Sequence, residues 1–188
     1  DLADFLPALV KAVPAIDAAD WLKWCRERKA KFDFAHTPEY RQTGDKINAY
    51  AFMHAVSLAM AENDLCVMAN ATATICTFQT AEIKSGQRIF SNSGDASMGY
   101  DLPAAIGACI AAGRRNTVCL AGDGSIMMNL QELQTIKHNA LPIKIFVINN
   151  DGYISIKQTQ NNFFEGRHCG DGRNSGVSTP DFVKVGEA

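Results

Sequence analysis

The sequence predicts an α/β fold: a doubly wound, mainly parallel sheet with helices on both faces. Three observations carry that expectation. From Leu65 to Ile148, short apolar runs alternate with stretches of helical period. The run Ile143-Lys144-Ile145-Phe146-Val147-Ile148 is apolar at all but one position, as suits a strand covered on both faces. Pro103 opens one helical stretch and Gly113 lies just past its end, the usual asymmetry of helix termini.

Taken in order, residues 1–44 read as a helical linker or arm. Two helical patterns fill it, Leu2 to Val13 and Asp17 to about Phe32, the second opened by Asp17 as N-cap and bearing Trp21 and Trp24 on one face. Polar residues, Pro38 and Gly44 then interrupt the periodicity, and Asp45 is expected to cap a helix reaching about Asn63, with Ile47, Tyr50, Ala51 and Val56 along one stripe. The core domain is expected over residues 45–188. Its strands are read at Leu65–Ala69, Gln87–Phe90, Thr117–Ala121 and Ile143–Ile148, and its helices at Thr74–Ile83, Pro103–Ala112 and Ile126–Asn139. The abrupt start and finish read as a domain cut from a longer polypeptide at both ends.

Composition narrows the function classes. With 188 residues, of which 47% are hydrophobic, the chain can bury one sizeable core. A formal charge of -2, without any basic run, gives no electrostatic ground for nucleic acid or an anionic membrane as partner. Six scattered cysteines form no CxxC pair, and four sit in apolar runs, which points to reduced, buried thiols and a cytoplasmic protein. No apolar stretch is long enough to span a bilayer.

Doubly wound sheets bind ligands beyond the carboxyl ends of their strands, so the loops after Ala69, Ala121 and Ile148 are where chemistry is sought. The loop Gly122-Asp123-Gly124-Ser125 leads straight into a helix, and free N–H groups approached past glycine make a phosphate cradle. A carboxylate beside a phosphate is repelled unless a cation lies between them, so Asp123 implies a metal. The next core strand ends in Asn149-Asn150-Asp151-Gly152, from which an Asn149 or Asn150 carbonyl oxygen would join Asp123 around a hard divalent ion such as Mg²⁺. Each motif alone is an ordinary turn. A dinucleotide-binding GxGxxG would need glycine where Met127 stands, which disfavours a nicotinamide or flavin domain.

Gly122-Asp123-Gly124, a spacer over residues 125–148 and then Asn149-Asn150 together resemble the cofactor motif of thiamine diphosphate enzymes. Over residues 45 to 185 the resemblance is to acetolactate synthase-like large subunits, reinforced by Met98-Gly99-Tyr100-Asp101-Leu102-Pro103-Ala104-Ala105-Ile106-Gly107-Ala108. It implies a thiamine diphosphate-binding fold and a C-terminal diphosphate-binding domain. Asp123, the Asn150 side chain and the Gly152 carbonyl would hold Mg²⁺, and Gly122, Gly124 and Ser125 would line the diphosphate. Met98 would prop the cofactor, with Ala96 in the same loop. Thr72 and Ala73 would lie at another diphosphate-contacting turn, although the Thr72 hydroxyl equally suits an N-cap. Tyr153 would follow the metal turn at the start of a helix running to Gln160, beside the reacting carbon.

The same resemblance implies decarboxylation of a 2-oxo acid and carboligation by a homo-oligomeric parent enzyme. Its activating glutamate would come from a pyrimidine-binding domain across a subunit interface. Glu62, Glu82, Glu132 and Glu165 match no such role, so no catalytic acid or base is assigned here and the isolated domain is expected to be inactive. FAD, where the parent uses it, would bind outside this domain. Departures from the acetolactate synthase pattern lie at Asp95 and Asp101 (usually glycine), Thr72-Ala73 (usually Gln-His) and Thr159 (usually Trp). They leave open another thiamine diphosphate decarboxylase or lyase, or a non-catalytic relative. The segment Asn161 to Ser178 reads as a mobile loop, its Gly170-Asp171-Gly172 as a plain turn, and His168 and Cys169 as bystanders.

Overall fold

The computed structural model describes residues 1–14, 16–42 and 44–187, which fall into two compact units, 1–39 and 40–188. The first unit holds helices α1 (Leu2–Ala12) and α2 (Ala19–Lys31). Asp1 caps α1, and the Asp17 side chain accepts from the Ala19 N–H at 3.0 Å at the start of α2. Trp21 and Trp24 stack with ring centroids 5.1 Å apart. Tyr40 opens the second unit because it is tied there twice. Its ring stacks on Tyr50 at 4.2 Å, and its hydroxyl donates to Gln79.

Four parallel strands form the sheet of the second unit, β1 (Leu65–Met68), β2 (Arg88–Ser91), β3 (Thr117–Gly122) and β4 (Ile143–Ile148), in the order β2-β1-β3-β4. Successive side chains of a strand leave on opposite faces, and both faces are covered. Cys66, Met68 and Leu120 pack under α3 (Ala49–Ala59) and α4 (Thr72–Thr80), while Val67, Cys119 and Ala121 pack under α5 (Asp101–Ala111). The α/β doubly wound architecture expected from the sequence is the one observed. Four cysteines are buried in this core, all without disulfides. Burial pushes the Cys66 thiol up to about 12 and raises Cys119 further, so neither is a thiolate near neutral pH. No helix among the described residues is long and apolar enough to cross a membrane.

Several boundaries differ from the sequence expectation, each for a local reason. Asn48, not Asp45, caps α3, its Oδ1 accepting from the Tyr50 N–H at 2.9 Å; Ile47 therefore lies outside the helix, exposed. The helix expected over 126–139 is two short ones, α6 (Asp123–Ile126) and α7 (Glu132–His138). Between them the chain turns so that the Asn129 side-chain amide reaches the Gly99 carbonyl. After β4, α8 runs Ile154–Phe163, three residues past Gln160, and α9 (Phe182–Glu187) ends the described chain.

The order β2-β1-β3-β4 places a change of winding direction between β1 and β3. The chain moves outward from β1 to β2, then crosses back to lay β3 on the other side of β1. Loops leaving two such strands diverge to opposite faces and open a crevice at their carboxyl ends.

Candidate functional site

A cavity of about 320 Å³ occupies that crevice. It is lined from the first turn of α4 by Thr72 and Ala73, from the segment before α5 by Ala96 and Met98, from the junction of β3 and α6 by Gly122, Asp123, Gly124 and Ser125, and from the segment after β4 by Asn150, Gly152 and Tyr153. All eleven residues singled out from the sequence thus face one space. Ala69, Asn70, Ala71, Ile148, Ile154, Ser155 and Ile156 line it as well. None of these was singled out as a binding residue, although the sequence placed Ala69 and Ile148 at the strand ends that lead into the site and Ile154 to Ile156 in the helix expected beside the reacting carbon.

Asp123 is 2% exposed and held by main-chain donors. Its Oδ1 accepts from the Gly124 N–H and its Oδ2 from the Gly152 N–H, both at 2.8 Å. The second bond joins the β3 turn to the β4 turn. In the same cavity lining, the Asn150 Oδ1 is buried without a hydrogen-bond partner, while Asn149 is used locally, its Oδ1 accepting from the Asp151 N–H at 3.3 Å. A buried acceptor left unpaired costs about 1–3 kcal/mol, which makes Asn150 a group built for something the protein alone does not supply. Among the described residues lining the cavity there is no Lys, Arg or His. The buried carboxylate therefore has no side-chain counter-charge within it, and a divalent cation fits that need. Among the described residues no group of three or more His, Cys, Asp or Glu is placed to hold a metal, so an ion here would rest on one carboxylate plus amide and main-chain oxygens.

The walls are shaped by main chain. Ala71 (φ 51°, ψ −121°) and Ala96 (φ 52°) both take left-handed values that an alanine adopts at a cost of about 1–3 kcal/mol, and both line the cavity. The Asn70 side-chain amide donates to the Ala96 carbonyl, tying the two strained loops together. Thr72 is the first residue of α4, with no side-chain bond capping that helix, so the N-cap alternative for its hydroxyl does not hold. The Ser125 hydroxyl oxygen accepts from the Gly99 N–H at 2.8 Å, and the Gly124 N–H is turned to Asp123. Ser125 therefore braces the Met98 loop through its side chain.

Gly124 lies under the Tyr153 ring, where an added Cβ would come 2.2 Å from Cε1. The ring can swing aside, and alanine suits a helix better than glycine. Gly124→Ala is accordingly expected to change stability by less than about 1 kcal/mol while weakening ligand binding at least tenfold, because the displaced ring narrows the cavity. Isothermal titration would read this, and Tyr153→Ala in the same chain should restore binding.

Asp101 is fully buried next to this shell, with Oδ1 accepting from the Leu102 N–H at 2.9 Å and Oδ2 unpaired. Burial raises its carboxyl above the ordinary 3.8, partly offset by that N–H and by the neighbouring Ser125 hydroxyl. A carboxyl raised on folding keeps its proton where the unfolded chain has lost it. Its contribution to stability is thus full below the unfolded value and is lost as pH climbs through the folded one. Asp101→Asn should remove this acid-side advantage and flatten the fall, as thermal melts from about pH 4 to pH 8 would show.

A parallel sheet, a crevice at its winding switch and a glycine-lined cavity holding a buried carboxylate without a side-chain counter-charge define a doubly wound α/β domain with a ligand-binding crevice at its strand ends. The chain belongs to the family described as thiamine pyrophosphate enzyme, C-terminal TPP binding domain, whose pattern residues 70–188 match. It is similar to the acetolactate synthase isozyme 2 large subunit of Escherichia coli strain K12, 31% identical over 100% of this chain and 32% of that protein. Similarity extends to the isozyme 1 large subunit of the same organism, 30% identical over 88% of this chain and 29% of that protein. The acetolactate synthase large subunit of Cyanidium caldarium is 43% identical over 57% of this chain and 18% of that protein. The chain spans less than a third of the length of the two Escherichia coli relatives.

Proposed function

We propose that the cavity holds the diphosphate end of thiamine diphosphate against one Mg²⁺ ion. The protein that carries it would act as an acetolactate synthase-like enzyme, decarboxylating a 2-oxo acid and joining the remainder to a second carbonyl compound. The observation that carries this reading is the pairing of a buried, main-chain-held Asp123 with the partnerless Asn150 Oδ1 in a cavity whose lining has no cationic side chain.

Asp123, Asn150 Oδ1 and the Gly152 carbonyl would hold the ion, leaving other positions for phosphate oxygens and water. The Ser125 N–H, in the first turn of α6, would be a donor for a phosphate oxygen. Met98 and Ile156 line the cavity yet remain 37% and 46% exposed, an apolar rim suited to the aminopyrimidine end and to a covering domain. When bound, the cofactor supplies the carbon nucleophile and electron sink that decarboxylation needs. Among the described residues none of Glu62, Glu82, Glu132 and Glu165 lines the cavity; by the resemblance to acetolactate synthase-like subunits, the activating glutamate would come from a pyrimidine-binding domain of a partner subunit in a homo-oligomer.

Thermal unfolding of the full-length protein with Mg²⁺, with thiamine diphosphate and with both tests the reading. A rise that needs both ligands is expected, equivalent to about 2.7 kcal/mol at a hundred times the dissociation constant. An equal rise with thiamine diphosphate in the presence of a chelator would remove the metal from the site.

A further inference from the structure

The second Gly-Asp-Gly, residues 170–172, reads in the sequence as a plain turn. In the structure it is packed main chain to main chain against the Asp151-Gly152-Tyr153 turn. The Tyr153 N–H donates to the Asp171 carbonyl at 2.8 Å. A Cβ on Gly152 would stand 2.4 Å from that same carbonyl oxygen, and one on Gly172 would stand 3.0 Å from the Asp151 carbonyl. Gly152 is required by this contact, and a Cβ at Gly172 would crowd it.

We propose that residues 170–172 form a clasp that aims the Gly152 carbonyl, with Asp171 as its positioning residue. The proposal rests on the reading of Gly152 as a metal ligand. In a trans peptide the C=O and the following N–H point in opposite directions, and the structure contains no cis peptide among the described residues. Because the Tyr153 N–H points at the Asp171 carbonyl, the Gly152 C=O must point away from the clasp. The preceding peptide is pinned as well, by the Gly152 N–H on Asp123 and by the Lys157 ammonium on the Asp151 carbonyl. With φ at 110°, Gly152 has a conformation that needs such fixing on both sides.

Asp171 is itself locked. The residue is 3% exposed, its Oδ1 accepts from the Ser175 hydroxyl and its Oδ2 pairs with His168 Nδ1. Ser175 Oγ in turn accepts from the Asp171 and Gly172 N–H groups, both at 3.0 Å. His168 is therefore part of the brace, not a bystander. The clasp lies one layer behind the proposed ligand set, where loss of a supporting partner lowers metal affinity about 10–100-fold.

The test compares Asp171→Ala, Asp171→Asn, Ser175→Ala and Asp123→Ala in the full-length protein. The concentration of Mg²⁺, and separately of Ca²⁺, that half-saturates thiamine diphosphate binding is measured well below each unfolding temperature. Asp171→Ala should raise the Mg²⁺ requirement about tenfold or more. It should also narrow the preference for Mg²⁺ over Ca²⁺, because a loosened carbonyl suits the larger, geometrically tolerant ion. Asp171→Asn keeps an acceptor for Ser175 and should recover most of the loss. Ser175→Ala, which removes only the hydroxyl, should shift both readings the same way and serves if Asp171→Ala does not fold. Lower unfolding temperatures with an unchanged Mg²⁺ requirement and ion preference in the Asp171 and Ser175 variants would overturn the clasp, while an Asp123→Ala control that has lost Mg²⁺ dependence keeps the metal reading intact. If Asp123→Ala retains it, the metal reading falls and the clasp with it.

Discussion

Gly152→Ala is expected to lower the unfolding temperature by about 6–12 °C, the larger of the stability effects this site can show. Two independent costs add. A φ of 110° is a conformation that a side-chain-bearing residue adopts only with about 1–3 kcal/mol of strain. The new Cβ also meets the Asp171 carbonyl oxygen at 2.4 Å. That atom is main chain, so relief requires either breaking the Tyr153 N–H bond to it or shifting the whole turn from Asp123. A total of about 3 kcal/mol follows. Metal-dependent cofactor binding should be lost in the same variant even at temperatures where it is folded. Calorimetric unfolding with and without ligands reads both, and a fall of less than about 2 °C would mean that the turn is far softer than its contacts imply.

The fold was legible in the sequence because burial leaves a pattern. The central strands Leu65–Met68 and Thr117–Gly122 are buried almost throughout, and continuous apolar runs record that directly, whereas the equally apolar Ile143–Ile148 lies at the sheet edge and is only half-buried. The site was legible through Asp123, a carboxylate where a phosphate cradle would otherwise be neutral, and through its spacing to Asn150. What escaped has physical causes too. Ala71 and Ala96 take positive φ, yet alanine gives no sign of it, unlike a glycine or asparagine in a turn. The break between α6 and α7 has no proline or glycine to mark it. It comes instead from Asn129 being drawn to the Gly99 carbonyl, a contact between residues distant in sequence. Asp171 was unreadable for a similar reason. What it offers Tyr153 is a main-chain carbonyl, and the glycines beside it match those of any turn.

Asp123→Asn should separate folding from ligation at the same residue. In the ligand-free protein the carboxylate serves as a double acceptor, one oxygen for Gly124 and one for Gly152. Asparagine offers a single carbonyl oxygen, so one of those N–H groups must face an amide NH₂. Leaving it unsatisfied costs about 1–3 kcal/mol, partly offset by the removal of a buried charge without a side-chain counter-ion. The net expectation is a modest fall in unfolding temperature, about 2–6 °C. Ligand binding should respond much more strongly. With the charge gone, no charged group in the cavity lining offsets the cost of stripping water from a divalent ion, and amide oxygens alone hold Mg²⁺ poorly because it gives up water reluctantly. The stabilisation that needs Mg²⁺ and thiamine diphosphate together should vanish, a loss of about 2.7 kcal/mol or more at ligand concentrations a hundred times the wild-type dissociation constant. Asn150→Ala provides the complementary measurement. It removes an acceptor that has no partner in the ligand-free protein, so it should leave the unliganded melt unchanged or raise it while cutting Mg²⁺ affinity. Were Asn150→Ala instead to destabilise the ligand-free protein and leave Mg²⁺ binding intact, its buried oxygen would belong to the packing of the β4 turn, and the ion would have to be held by Asp123 and Gly152 without it.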